Sequence, residues 1–310
     1  MNKKLFIIGN GFDMFHGIPS GYSDFKKYVK ETNNKLFEAL EYYFDADSLW
    51  SDFEGTLAYL DTDKIVDDAS QFLVSYGAED WSDAFHHDYQ YEVQQAIDVV
   101  TIQLQEEFTR WILGLKIPYT KKIILPESAQ YINFNYTKTL EQIYSIPYSD
   151  ILYIHNKAIN IESVLILGHS RTPNIKEESP LKIIDNSKDN ENEYYDYYED
   201  MDDVRVTEGD EILDKYFVDT YKNTETIINE NLPFFNNLYN IDEVYVLGHS
   251  MAEVDIKYFQ KVKQSISVNA EWIISYRDEE QIIERKEILS KLGVASDLVN
   301  FIQITELKID

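Results

Sequence analysis

The feature that most constrains this chain is a recurring one: short, continuously apolar runs, each stopping at a polar or glycine-rich turn. Leu5-Phe6-Ile7-Ile8 ends at Gly9-Asn10-Gly11-Phe12-Asp13, and Tyr131-Ile132-Asn133-Phe134-Asn135 leads into Thr137-Lys138-Thr139-Leu140-Glu141. Ile151-Leu152-Tyr153-Ile154 ends at His155, and Val164-Leu165-Ile166-Leu167 at Gly168-His169-Ser170. Val244-Tyr245-Val246-Leu247 ends at Gly248-His249-Ser250, and Trp272-Ile273-Ile274-Ser275-Tyr276 closes the series. Runs without polar alternation suit strands covered on both faces, and helical segments lie between several of them. The expected fold class is therefore α/β, a Rossmann-like, mostly parallel sheet.

Between the first two runs the pattern changes. A helical stretch begins near Tyr22, and residues 36–115 read as a large α-helical insertion. There Val93, Ile97, Val100, Leu104, Phe108 and Trp111 recur every three or four residues on one face. A second departure is the acidic stretch 185–211, in which twelve Asp and Glu stand against Lys188 and Arg205 with four tyrosines interleaved. It reads as a solvated loop. The whole, residues 1–310, is expected to be a single α/β domain with these two interruptions.

Composition removes several function classes. The 310 residues contain no cysteine, which excludes disulfides, thiolate metal sites and cysteine nucleophiles. Fifty-six Asp and Glu against 28 Lys and Arg leave a net charge of −28. That balance disfavours nucleic acid as a partner, because neutralising phosphates requires clustered cations. No secretory signal or membrane span is legible, so the expected location is the cytoplasm and no membrane partner is expected.

In an open parallel sheet, ligands bind at the carboxyl ends of the strands. The polar residues at those ends (Asn10, Asp13, Asn133, Asn135, His155, His169, Ser250 and Asp255) together read as a nucleotide-sized site. Gly9 and Gly11 are the first two glycines of a dinucleotide fingerprint that fails at Met14. Their turn serves either a phosphate or the fold alone, and Asp13 is placed to cap the helix that follows. Gly248-His249-Ser250-Met251-Ala252 has the outline of a nucleophile elbow, but no histidine follows Ser250, so the usual order of a hydrolase triad fails. His86 and His87 point about 100° apart on a helix and read as an exposed polar patch, and no metal site is expected.

These blocks resemble the AbiH proteins of bacteriophage abortive infection. The resemblance runs through Gly9–Asp13, His16-Gly17-Ile18-Pro19, Tyr22-Ser23-Asp24-Phe25, Leu49–Glu54, Asn133–Glu141, Tyr153–His155, Leu167–Ser170, and Val246–Ser250 with Asp255 and Tyr258-Phe259. The family is in turn similar to the sirtuin-like NAD-binding fold, which implies NAD as the substrate and no required cofactor. By that resemblance Asn135 and His155 are the catalytic pair, with His155 accepting a proton. Gly9, Asn10, Gly11, Phe12, Asp13, His16, Gly248, His249, Ser250 and Asp255 bind the nucleotide, with Lys138, Lys157 or Arg171 offsetting its phosphates. Asn156 and Thr137 depart from the sirtuin pattern. The absent zinc cysteines argue against deacetylation, and the resemblance to sirtuin-like domains of phage-defence proteins implies instead hydrolysis of NAD at the nicotinamide–ribose bond. The same crevice in a nuclease or nucleotide hydrolase, and a non-catalytic nucleotide-sensing or phage-protein-binding module, are the alternatives. A phage-derived trigger and a homo-oligomer are compatible partners.

Overall fold

A computed structural model describes residues 3–77, 87–173 and 203–307. Six strands form one parallel sheet: β1 (Lys3–Ile8), β2 (Gln130–Asn133), β3 (Ile151–Tyr153), β4 (Ile241–Leu247), β5 (Glu271–Tyr276) and β6 (Val299–Gln303), in the order β3-β2-β1-β4-β5-β6. The register aligns Ile8 with Asn133 and with Leu247, and Asn133 with Tyr153, so the carboxyl ends of four strands finish level. The chain leaves β1 toward one sheet edge and later returns beside it to build the other. The crevice between β1 and β4 is thus the topological switch point, where this class of sheet takes ligands.

The central strands are covered on both faces, as their apolar runs require. Leu5, Ile7, Val244, Val246 and Trp272 pack with Phe235, Phe259 and Val262 on one side. Phe6, Ile8, Tyr131 and Tyr245 pack with Leu140 and Tyr144 on the other, with Phe6 stacked between Tyr131 and Tyr245.

Two strand expectations change. Val164–Leu167 forms no strand. Its carbonyls are taken by side chains instead: Asn156 Nδ2 donates to Val164, Gln105 Nε2 to Leu165 and the Tyr136 hydroxyl to Ile166. The sixth strand, β6, replaces it at the opposite edge. It is only half-buried, and Asn300 interrupts its apolar side chains, so it lacks the continuous run that marks the others.

The stretch 36–115 is helical where described. Helices Asn34–Tyr43, Thr62–Ser70, Asp88–Asp98 and Leu104–Gly114 are joined by shorter turns, and one π-helical turn, Val99–Gln103, links the last two. The predicted stripe is buried throughout, within a core that also takes in Phe25, Phe53 and Tyr216. The acidic stretch departs from its loop reading from Val204 onward, where helix Val204–Asp219 begins and packs on helix Asp88–Asp98. Leu213 and Tyr216 face the helical core there, which outweighs local charge. Residues 185–202 and His86 lie outside the described residues, while His87 is exposed at the start of its helix. Among the described residues no helix is long and apolar enough to cross a membrane.

Candidate active site

At the switch point the loops after β1 and β4 lie in contact, and glycine makes this possible. Gly248 has φ +66°, and a Cβ there would stand 2.1 Å from the Phe12 nitrogen. A Cβ on Gly9 or Gly11 would strike His249 or the Gly248 carbonyl. The glycines therefore let one loop cross another. The main-chain N–H groups are engaged in the same crossing. Gly9 donates to Leu247, Gly11 to Gly248 at 2.7 Å, and Phe12 to Gly9. A phosphate cradle built from these three groups is not open in this conformation.

Asp13 does not cap a helix. The helix, Asn10–Phe15, starts one residue after β1, so Asp13 falls inside it, fully buried. Its Oδ2 accepts from Thr137 Oγ1 at 2.6 Å, while Oδ1 is buried without a partner. Burial raises its pKa to about 6 against the lowering effect first of the Thr137 hydrogen bond and then of the nearby Thr139 and Asn135 side chains. Asn135 also donates through Nδ2 to the Gly9 carbonyl at 3.1 Å, so it ties the β1 loop to the carboxyl group. Asn10 exchanges hydrogen bonds with Ser20.

These residues line a cleft of about 580 Å³ over the carboxyl ends of β1, β2 and β4. The structure brings Asn10, Gly11, Asp13, Asn135, His155, Gly248, His249, Ser250 and Asp255 to this cleft. It turns Phe12 and His16 away. Phe12 is core, and His16 bonds the Phe12 carbonyl and the Tyr144 hydroxyl, both at 2.7 Å, on the far side of the helix. His169 is buried elsewhere, and its main chain holds the segment carrying Lys222 through Lys222 N–H to His169 O at 2.8 Å.

Behind the cleft wall lies a charged cluster that sequence reasoning missed in part. The buried Lys222 ammonium stands 2.7 Å from Glu54 Oε2 and 3.0 Å from Asp255 Oδ1. Burial pulls its pKa down, but Asp255 and Glu54 more than offset this and leave it raised. Tyr22 and Tyr136 direct their hydroxyls to Glu54 Oε1 at 3.1 and 3.3 Å. His155 Nε2 and His249 Nε2 face the two oxygens of Asp255 at 3.6 and 3.5 Å. His249 Nδ1 accepts from Met251 N–H at 2.8 Å, which leaves the ring proton on Nε2. Burial first, then Lys222, pushes His249 down to about 3 and holds His155 well below 6.5, so both rings are neutral at physiological pH. His155 Nε2 has no hydrogen-bond partner. Phe134 separates the two rings, 5.2 Å from His155 and 4.3 Å from His249.

Lys138, Lys157 and Arg171 are not among the cleft-lining residues. Lys157 is paired with Glu141 at 3.0 Å and lies over Tyr153, and Arg171 lies over Tyr59. Lys222 had no legible signal, being one lysine after an acidic helix. Glu54 and Tyr22 were legible only as parts of blocks shared with a family.

A family model for bacteriophage abortive infection AbiH matches residues 5–276. The chain belongs to the AbiH family. Every cleft residue up to Asp255 lies inside the matched span, as do Lys222, all but the first two residues of β1, and β2 to β5. Membership places the protein in bacteriophage abortive infection. No curated protein and no solved structure matches it.

Proposed function

We propose that this AbiH protein acts in abortive infection by hydrolysing NAD at the nicotinamide–ribose bond in the cleft between β1 and β4. The observation that carries the reading is the charge of that cleft. Asp13, Asp52, Glu54, Glu253, Asp255 and Glu284 line it and, among the described residues, no lysine or arginine does; Lys222, paired to Glu54 and Asp255, offsets part of their charge from behind the wall. An acid-lined, half-enclosed site favours a cationic pyridinium ring and the oxocarbenium character that develops on ribose as the bond breaks. Its volume suits one half of a dinucleotide.

The residues divide the work as follows. The C1′–nitrogen bond breaks and its electron pair passes to the nicotinamide ring, neutralising it. A water oxygen bonds to C1′ and gives its proton to Asp13. With its pKa near 6 and Oδ1 unpartnered, Asp13 is a better base at neutral pH than His155, whose pKa lies well below 6.5. Asn135 positions Asp13 and the water. His155, neutral and part of the cleft wall, packs against the ribose and orients it. The likeness to sirtuin-like NAD sites rests on Asn135, His155 and the Gly248–Ser250 loop, which meet in this cleft. A metal-dependent nuclease is less well supported, because the Lys222 ammonium already fills the space between Glu54 and Asp255.

The test is to incubate the protein with NAD, alone and in extracts of phage-infected cells, and to quantify nicotinamide and ADP-ribose. Release by wild type, lost in Asp13→Asn and reduced in Asn135→Ala and His155→Ala, is expected. No release in either setting sinks the proposal.

A further inference from the structure

An acid-lined cleft is a poor place for phosphates, and the nearby loop N–H groups are engaged. On the other side of the β4 loop lies a second cavity of about 480 Å³, over the ends of β5 and β6. Gly11, Gly248 and Ser250 line both spaces, so the two open on either side of one saddle. The charge reverses across that saddle. Arg277 and Arg285 line the second cavity, and no Asp or Glu does.

Arg285, on helix Glu279–Lys291, is 5% exposed. Its Nη1 donates to the Ser275 carbonyl, and its Nε is buried without a partner. Among the described residues no carboxylate comes within salt-bridge distance of it. A buried guanidinium with no carboxylate paired to it is costly to keep, and burial lowers its pKa despite the more distant Glu284 and Asp278. Its planar fork of N–H donors matches phosphate oxygens. Ser275 holds saddle and cation in one frame, since its Oγ accepts from Gly248 N–H at 2.8 Å while its carbonyl accepts from Arg285. Arg277, exposed at the rim, lies 3.3 Å from Asp278. Met14, Phe15, Tyr276 and Ile304 supply apolar walls of the kind a base stacks on.

We infer that this second cavity binds the diphosphate of a nucleotide, with Arg285 as the buried anion-holding residue and Arg277 at the entrance. That the same ligand continues over the saddle into the cleft rests on the function proposed above; the diphosphate site itself does not.

Calorimetry with ADP, pyrophosphate and adenosine tests it on wild type, Arg285→Gln, Arg285→Lys and Arg277→Ala. ADP is expected to bind wild type and pyrophosphate to compete. Arg285→Gln should lose ADP affinity by about 10-fold or more, Arg285→Lys by less, and the exposed Arg277→Ala by a few-fold. Adenosine should bind weakly and be indifferent to all three. ADP affinity equal to wild type in Arg285→Gln overturns the site, as does failure of ADP and pyrophosphate to bind wild type. If Arg285→Gln does not fold, Arg285→Lys and Arg277→Ala decide, and unchanged affinity in both overturns the site. NAD turnover with an unaltered KM, together with unaltered ADP affinity, in Arg285→Gln would uphold the cleft reading and refute this one. Arg285-dependent ADP binding without NAD turnover does the reverse.

Discussion

Replacing Lys222 by Met tests the electrostatic frame of the cleft. The thioether side chain keeps most of the apolar stem and removes the ammonium, which sits 2.7 and 3.0 Å from Glu54 and Asp255 with its side chain fully buried. Removing one partner of a buried ion pair leaves uncompensated charge and costs about 3–5 kcal/mol. Taking ~2.1 cal/mol/K per residue for the unfolding entropy over this chain gives about 0.65 kcal/mol/K, hence a melting temperature lowered by about 5–8 °C. Thermal unfolding followed by circular dichroism reads this directly. Two further outcomes belong to the same cause. Glu54→Gln introduced beside Lys222→Met should recover part of the loss, because it removes one of the stranded charges. His155 and His249 should titrate at higher pH in the variant, since burial holds both down first and Lys222 adds to it; imidazole NMR signals report this. A melting temperature within about 1 °C of wild type, with no recovery in the double variant, refutes the assignment of Lys222 as the cluster's neutralising cation.

Asp13→Asn should lower NAD hydrolysis by about 10²-fold or more while raising stability at pH 7. The sign follows from the raised pKa: a carboxyl group at about 6 in the fold stabilises it fully below its unfolded value near 3.8, and that contribution is lost as pH rises through 6. Wild-type activity should correspondingly rise with pH through about 6 and then level. Gly248→Ala should destabilise by about 3 kcal/mol or more in denaturant titrations, because it combines a positive φ with a Cβ inside the β1 loop. His249, lowered to about 3, should show no NMR titration between pH 5 and 8. Its neutral burial stabilises the fold above its unfolded pKa near 6.5, and that contribution declines as pH falls from there toward 3. His16→Ala should lower stability but leave NAD hydrolysis unchanged, since both ring nitrogens are bonded away from the cleft.

What this sequence determined by itself was local. Continuous apolar runs made buried strands of Leu5–Ile8, Tyr131–Asn133, Ile151–Tyr153 and Val244–Leu247, because their residues have no polar face to turn to water. The spacing of Val93 through Trp111 made a helix with one buried stripe for the same reason. Polar residues where those runs stop marked one edge of the sheet, and Asn135, His155, His249 and Asp255 do line one cleft there. The fold decided whatever depends on partners distant in the chain. Val164–Leu167 is as apolar as a strand, yet Asn156, Gln105 and Tyr136 occupy its carbonyls. Gly9 and Gly11 look like a phosphate turn until the β4 loop takes up their N–H groups. Lys222, 168 residues from Glu54 and 33 from Asp255, acquires its meaning only when both carboxylates close on it. Charge followed the same division: the total of −28 is written in the residues, while its sorting into an acidic cleft and an arginine-lined cavity is a property of packing. Electrostatic energy depends on separation in space and on burial, and neither is set by position along the chain.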